Sequence, residues 1–382
     1  MGEAVVVAYG RCAVTRGIKG SLAGVNPVDF GAETLSGVLA RVPGLDPAVI
    51  DDVIVGCALP ESKLGLNPAR NIALRAGLPE AVSGQTVNRF CSSGLQALAH
   101  ATASIRAGFA DVIVAGGVEH MSSPVLSEAS AYLDDYLLER TQVYAPMGVT
   151  AENVAAAWRI GRAEMDLMAV ESHARAARAR SAGRFNGQIV PVAGLVEGEP
   201  VTVTADECIR PGTTADRLAT LAPAFIPDGL VTAGNSSPRS DGAAFLVLTS
   251  ATAAASLDLE PLARLTGFAV AGVAPEQMGI GPVAAVPKLT AQTRLRLGDF
   301  DTIELTEAFA AQVLAVLAAW GLTYDDINPD GGALALGHPL GATGAVLAIK
   351  AVERLRAAGG GRALVTMCIG GGMGAAGALE VF

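Results

Sequence analysis

Short valine-rich runs alternate along the chain with long alanine-rich stretches of helical period, a pattern that points to strands and helices stacked in layers. Six runs read as buried strands: Val5 to Ala8, Asp52 to Val55, Asp111 to Ala115, Ala244 to Leu248, Leu262 to Ala269 and Ala363 to Met367. Between them, Phe30 to Arg41 and Pro68 to Ala76 read as helices, the second stopped by Gly77, which takes a left-handed cap without a Cβ penalty. Ala308 to Tyr324 is apolar, but it holds Gln312 and Gly321 and falls short of the roughly 20 residues a membrane span needs. It reads as a buried helix.

One order of elements occurs twice. Ser93-Gly94-Leu95 opens a helix to Ala107, and the strand Asp111 to Ala115 follows, ending at Gly116-Gly117. Thr343-Gly344-Ala345 opens a second helix to Ala357, and the strand Leu364 to Met367 leads through Cys368-Ile369 to Gly370-Gly371. This repetition predicts two halves of one topology. Residues 119–243 depart from the pattern and read as an excursion from the first half, with a Tyr144-to-Gly148 turn and an arginine-rich helix from Glu171 to Arg184. The expected division is 1–118 with 244–263 as one half, 119–243 as an inserted loop domain, and 264–382 as the other half. Insertions of this kind commonly carry substrate contacts.

Composition narrows the function. At 51% hydrophobic and 17% charged, the 382 residues are too apolar for disorder. A net charge of −10 argues against general nucleic-acid binding, yet leaves room for a local arginine pocket that takes a small anion. Cys12, Cys57, Cys91, Cys208 and Cys368 form no disulfide framework and no zinc-ligand spacing, and His100, His120, His173 and His338 do not cluster with them. A reduced interior without metal is expected. The start Met1-Gly2-Glu3-Ala4 has neither a basic secretory start nor a myristoylation pattern, so the expected location is the cytoplasm.

Three places carry candidate chemistry. Cys91, in Val87-Asn88-Arg89-Phe90-Cys91-Ser92-Ser93-Gly94, sits at the mouth of the first duplicated helix, where the positive end of the helix dipole is expected to lower a thiol's pKa. His338, in Gly337-His338-Pro339-Leu340-Gly341, precedes the second duplicated helix; if the halves are related by a pseudo-twofold axis, the two loops meet. An imidazole beside a thiol is the usual way to activate sulfur at neutral pH. Cys368 ends a strand and opens a glycine run whose free N–H groups suit an oxyanion hole. Gly372-Met373-Gly374-Ala375-Ala376-Gly377 fits a dinucleotide motif by letter, but no βαβ unit or acidic residue follows it. No GxSxG elbow of a hydrolase is present.

Blocks running nearly the whole length resemble the thiolase family. In order they are Asn67-Pro68-Ala69-Arg70, the Cys91 block, Ala115-Gly116-Gly117-Val118-Glu119-His120-Met121-Ser122, and Met147 to Asn153. Thr232-Ala233-Gly234-Asn235-Ser236-Ser237, Glu307-Ala308-Phe309, Gly337-His338-Pro339 and Cys368 to Gly372 complete the series. The resemblance implies a five-layered α/β/α/β/α fold of two duplicated halves with an inserted loop domain, assembled as a homodimer or homotetramer. It implies an acetyl-CoA C-acyltransferase that cleaves 3-ketoacyl-CoA with coenzyme A, or runs the reverse Claisen condensation, in fatty-acid β-oxidation. It further implies coenzyme A as a substrate, with no permanently bound cofactor. Cys91 would carry the acyl group, His338 would activate it and bind the enolate oxygen, and Cys368 would move the proton at carbon. The N–H groups of Cys91 and Gly370 would hold the tetrahedral oxyanion. Met147 and Ser237 would line the pantetheine channel, and Arg210 would meet the nucleotide end; the arginine run Arg175, Arg178, Arg180 and Arg184 reads as a solvated helix face.

Two positions depart from the family pattern. Thr306 stands where most thiolases have an asparagine that positions a water in the enolate hole, and Pro146 stands where biosynthetic acetoacetyl-CoA thiolases have a histidine. The first is expected to tune substrate range or lower turnover; the second favours a degradative or broad-range enzyme over the biosynthetic alternative. A ketoacyl synthase would use two histidines where this chain has His338 and Cys368. A non-catalytic acyl-CoA-binding relative is the other alternative, with Thr306 as its only support.

Overall fold

The computed structural model describes residues 2–123 and 133–382. The first half runs β1 (Ala4–Arg11), β2 (Thr15–Arg16), α1 (Pro27–Leu39), β3 (Asp52–Gly56), α2 (Pro68–Arg75), β4 (Ser83–Val87), α3 (Ser93–Ala107) and β5 (Val112–His120). The stretch after β5 holds α4 (Asp135–Arg140), α5 (Met147–Trp158), α6 (Arg162–Ser181), the hairpin β6 (Val192–Val196) and β7 (Glu199–Val203), and α7 (Ala215–Ala219). The chain rejoins the sheet at β8 (Ser240–Ser250) and passes through α8 (Ala251–Ser256) to β9 (Ala263–Gly272). Then come α9 (Gly281–Thr293), β10 (Thr302–Leu305), α10 (Ala310–Trp320), α11 (Ala333–Leu336), α12 (Leu340–Ala358), β11 (Gly361–Ile369) and β12 (Met373–Val381).

Local chemistry sets the helix ends. Asn-Pro opens both α1 and α2: the Asn26 side chain accepts from Val28 N–H and the Asn67 side chain from Arg70 N–H, while the proline gives up an N–H that would have no partner. The duplicated helices α3 and α12 both stop at a left-handed glycine, Gly108 and Gly359.

Strand order displays the duplication directly. In the first half β3 lies parallel to β5, and β5, β8 and β1 continue antiparallel. In the second, β10 lies parallel to β11, and β11, β12 and β9 continue antiparallel. The two sets touch where Val6 of β1 meets Ala263 of β9. The first half adds β4 outside β3. On the matching edge of β10, one side chain stands in for a strand: Asn328 Nδ2 donates to Leu305 O and Oδ1 accepts from Leu305 N–H, each at 2.8 Å.

Three apolar clusters fill five layers. α1 and α2 cover the outer face of the first sheet, α9 and α10 cover that of the second, and α3 with α12 form the layer between. A helix sandwiched between two sheets has no solvent face, so α12 buries small residues all round, including Gly341, Ala342, Gly344 and Ala345. Its one buried cation, Lys350, donates to Glu304 Oε2 of β10 at 2.7 Å and to Gly331 O at 2.6 Å. A buried charge stripped of its partner costs several kcal/mol, roughly 3–5, so this pair fixes the register of α12 against the second sheet.

The arginine run on α6 divides. Arg178 and Arg184 are exposed as a solvated face requires, but Arg175 is only 6% exposed. Its guanidinium donates to Tyr324 O and Ile327 O at 2.8 and 2.9 Å, pairs with Asp325 and stacks over the Tyr324 ring. Carbonyls presented by the turn at 324–327 recruit it, an environment that charge spacing on a helix does not disclose.

Candidate active site

The first turns of α3 and α12 cross at glycines. A Cβ on Gly94 would sit 2.7 Å from Gly341 O, and one on Gly344 would sit 2.7 Å from Leu95 Cβ. No other residue allows that approach. Because Cys91 precedes α3 and His338 precedes α12, the crossing gathers one loop from each half at the same end of the middle layer.

Cys91 lies in a single 3-10 turn, Phe90–Ser92, leading into α3. Phe90 takes φ 43°, a left-handed conformation unusual for an aromatic. Local bonds hold it there: Phe90 N–H donates to Asn88 Oδ1 at 2.9 Å, and Ser93 Oγ donates to Phe90 O at 2.6 Å. Asn88 is tied in turn to Ala58 O at 3.1 Å. The cysteine that results is 7% exposed. Burial pushes its thiol up to about 11, against the pull of the Gly370 and Cys91 backbone N–H groups that face the sulfur. The lowered value expected from the helix dipole is therefore overturned: removal from water outweighs the dipole, and the resting sulfur is a neutral thiol.

His338 is equally enclosed, and burial alone pushes its imidazole down to about 4, so it is neutral at physiological pH. Nδ1 lies 2.6 Å from Thr343 Oγ1, and Nε2 is buried with no partner among the described residues. The loop is braced by His338 N–H donating to Ser240 Oγ at 3.1 Å and by a bridge pairing Arg239 with His338.

Cys368, fully buried near the end of β11, has its thiol raised by burial and further by the neighbouring Cys91 sulfur. Two sulfurs thus share one site. Beyond Cys368 the chain turns through Gly370, then Gly371 and Gly372, whose φ values of 80° and 83° require glycine. A Cβ on Gly370 would lie 3.5 Å from Met147 Sδ and 3.7 Å from the Phe90 ring, so Met147 of α5 belongs to the same neighbourhood. Thr306 is wholly buried; its N–H is held by Thr366 O at 3.0 Å, while its hydroxyl has no partner among the described residues. Ser237 is half-buried on a strap that pairs with the segment after β10 and with the His338 loop: its N–H donates to Ala308 O at 2.9 Å, Ser236 bridges Phe309, and Arg239 bridges His338. Arg210 is different. It is exposed on the stretch between β5 and β8, its N–H donates to His173 Nδ1 at 3.2 Å, and no bond among the described residues ties it to the cysteine cluster.

One residue of the site escaped sequence reasoning. Glu119, fully buried at the end of β5, accepts from Ala58 and Gly341 N–H at 2.8 Å and from Leu59 N–H at 3.2 Å. It ties the end of β3 to the first turn of α12, and burial lifts its carboxyl to about 7 despite those three donors. The signal was there: an acid directly after the apolar run Val112 to Val118.

Taken together, the arrangement offers a thiol faced by two backbone N–H donors, a neutral imidazole with one nitrogen unpartnered among the described residues, and a second thiol. Among the described residues no group of His, Cys, Asp and Glu is suited to a metal ion, and no helix is long and apolar enough to cross a membrane.

Comparison with known proteins agrees. The thiolase N-terminal domain family matches residues 4–252 and the thiolase C-terminal domain family residues 259–381. A 3-ketoacyl-CoA thiolase of Bacillus subtilis is 45% identical with both chains covered in full. A beta-ketoadipyl-CoA thiolase of Pseudomonas knackmussii is 44% identical over 94% of this chain and 95% of its own. The crystal structure of the Bacillus anthracis acetyl-CoA acetyltransferase superposes with a TM-score of 0.93 at 39% identity, over 100% of this chain and 99% of that one. With its duplicated five-layered architecture and its paired buried cysteines, the chain belongs to the thiolase family of acyltransferase enzymes.

Proposed function

We propose that this thiolase cleaves 3-ketoacyl-CoA with coenzyme A, giving acetyl-CoA and a shortened acyl-CoA through a thioester on Cys91. The observation that carries the reading is the Cys91 sulfur faced by the Gly370 and Cys91 N–H groups, with the Cys368 thiol beside it. With burial raising the Cys91 thiol and lowering the His338 imidazole, moving a proton from one to the other is uphill, so deprotonation is coupled to attack. As the sulfur bonds to C3 of the substrate, its proton passes to Nε2 of His338, and the C3 oxyanion rests on the two N–H groups. The C2–C3 bond breaks, and its electron pair forms the enolate of acetyl-CoA. The imidazolium Nε2–H holds the enolate oxygen, with the Thr306 hydroxyl in reach of a water there. Cys368 gives its proton to the enolate carbon, and acetyl-CoA leaves. The incoming coenzyme A thiol gives its proton to the Cys368 thiolate and takes the acyl group, and Cys91 regains its proton from His338. Every group returns to its starting state.

Met147, beside Gly370, and Ser237, on the strap that pairs with the His338 loop, support a pantetheine channel at this mouth. Arg210, being exposed and cationic, suits the nucleotide phosphates. Pro146, which opens α5, supports degradation of fatty 3-ketoacyl chains over acetoacetyl-CoA synthesis. A cytoplasmic homodimer or homotetramer fits the bacterial relatives and the open edge of β4. The test is mass spectrometry of acid-quenched enzyme mixed with 3-ketoacyl-CoAs of increasing length. An acyl adduct on residue 91 that disappears in Cys91→Ser supports the reading; turnover without that adduct refutes it, and binding without turnover selects a non-catalytic acyl-CoA carrier. Arg210→Ala should raise KM for coenzyme A and leave kcat unchanged; an unchanged KM removes Arg210 from the site.

A further inference from the structure

We propose that Thr343 is a positioning residue that fixes the tautomer of His338, keeping the Nε2 lone pair turned to Cys91 in the resting enzyme; the proposal rests on the thiolysis reading above. Thr343 Oγ1 lies 2.6 Å from His338 Nδ1 and 2.9 Å from Pro339 O. A hydroxyl has one hydrogen. Given to Pro339 O, it leaves Oγ1 as the acceptor for Nδ1–H, and Nε2 bare.

The opposite arrangement would turn the Thr343 hydroxyl towards Nδ1 and place a hydrogen on Nε2. Pro339 O would tolerate that, because it already accepts the Ala342 and Thr343 N–H groups at 2.9 Å. Nε2 would not. It is buried and has no partner among the described residues, so a hydrogen there would be an orphaned donor. Buried N–H groups without acceptors are rarer than acceptors with a spare lone pair. The enclosure of His338 thus selects the form that can only accept a proton, which is the form Cys91 needs.

The link also works after the transfer. Once Nε2 holds the Cys91 proton, the imidazolium donates from both nitrogens: Nδ1 still to Thr343, and Nε2 to the enolate oxygen. Thr343 never touches substrate. It lies one helical turn into α12, so the fold that crosses α12 with α3 also orients the base.

The experiment compares wild type, Thr343→Val and Thr343→Ser. Histidine-selective ¹⁵N NMR at neutral pH, with the His338 signal assigned by its loss in His338→Asn, should give Nδ1 protonated and Nε2 bare in wild type. Thr343→Val keeps the shape and removes the hydroxyl; it should populate the other tautomer and lower kcat for thiolysis about 10–100-fold, the usual scale for losing a histidine's outer hydrogen-bond partner, with KM unchanged. Thr343→Ser should restore most of the turnover and the wild-type signal. A wild-type spectrum with the hydrogen on Nε2, or a Thr343→Val enzyme with undiminished kcat, overturns the proposal; if that variant fails to fold, the wild-type spectrum decides. Absence of a Cys91 adduct in wild type would instead sink the proposed function.

Discussion

Gly344→Ala probes whether the crossing of α3 and α12 sets the catalytic geometry. The added methyl would lie 2.7 Å from Leu95 Cβ and also crowd the Leu95 backbone N–H, which cannot rotate away. Ordinary carbon contact starts at roughly 3.5–4 Å, so the helices must part by about 1 Å. Overpacking of this kind costs about 1–3 kcal/mol, which for a chain of 382 residues lowers Tm by only about 1–4 °C. The effect on turnover is larger. Parting the helices moves the His338 loop away from Cys91, and a misplacement of about 1 Å costs about 10²-fold in rate. Thiolysis followed by loss of the 3-ketoacyl-CoA enol absorbance, beside a thermal melt, separates the two effects. Gly298→Ala serves as control, since a Cβ there meets nothing within 4 Å. A Gly344→Ala enzyme with kcat within twofold of wild type would show that the crossing does not position the catalytic pair.

Two further outcomes follow from the buried groups. Thr306→Asn gives a longer arm to a position whose hydroxyl has no protein partner, and should raise turnover or shift chain-length preference; identical kinetics over a series of acyl lengths would show that Thr306 tunes neither. Burial raises all five thiols from the ordinary 9.0, Cys12 and Cys91 to about 11 and Cys208 to about 12, with Cys57 and Cys368 higher still. Unfolded thiols therefore ionise first, so stability is full below pH 9 and falls as pH rises towards the folded values, by on the order of 1.4 kcal/mol per pH unit per thiol. The urea midpoint should drop between pH 8 and 10; a constant midpoint contradicts the burial argument.

Much of this was legible before any coordinates, and the exceptions share a cause. The strands read from Val5, Asp52, Asp111, Ala244, Leu262 and Ala363 all appear, shifted or extended by a few residues; five are apolar runs buried along most of their length, while β9 is partly exposed. The duplicated order appears as matching strand sequences in the two halves. β12 was not anticipated: Met373-Gly374-Ala375-Ala376-Gly377-Ala378 has no branched side chain, and it forms a strand only because β11 and β9 flank it. β10, four residues between Asp301 and Thr306, is too short to signal itself. The nearness of Cys91, Cys368 and Gly370 could be expected from family motifs alone, since they come from different halves. The direction of the Cys91 shift could not, because how fully α12 and β11 enclose the sulfur is a property of packing rather than of neighbours along the chain. Arg175 was missed for the same reason, whereas Glu119, an acid closing an apolar run, was marked in the sequence itself.

Each half sends one loop to the meeting of α3 and α12, and this has a bearing on descent. Two separate, identical polypeptides related by a true dyad would have to present the same residue from both sides, sulfur opposite sulfur or imidazole opposite imidazole. Tethering the copies in one gene product removes that obligation, so one loop is free to keep a thiol and the other an imidazole. Unlike partners at a shared axis are thus something only the covalently joined pair can evolve.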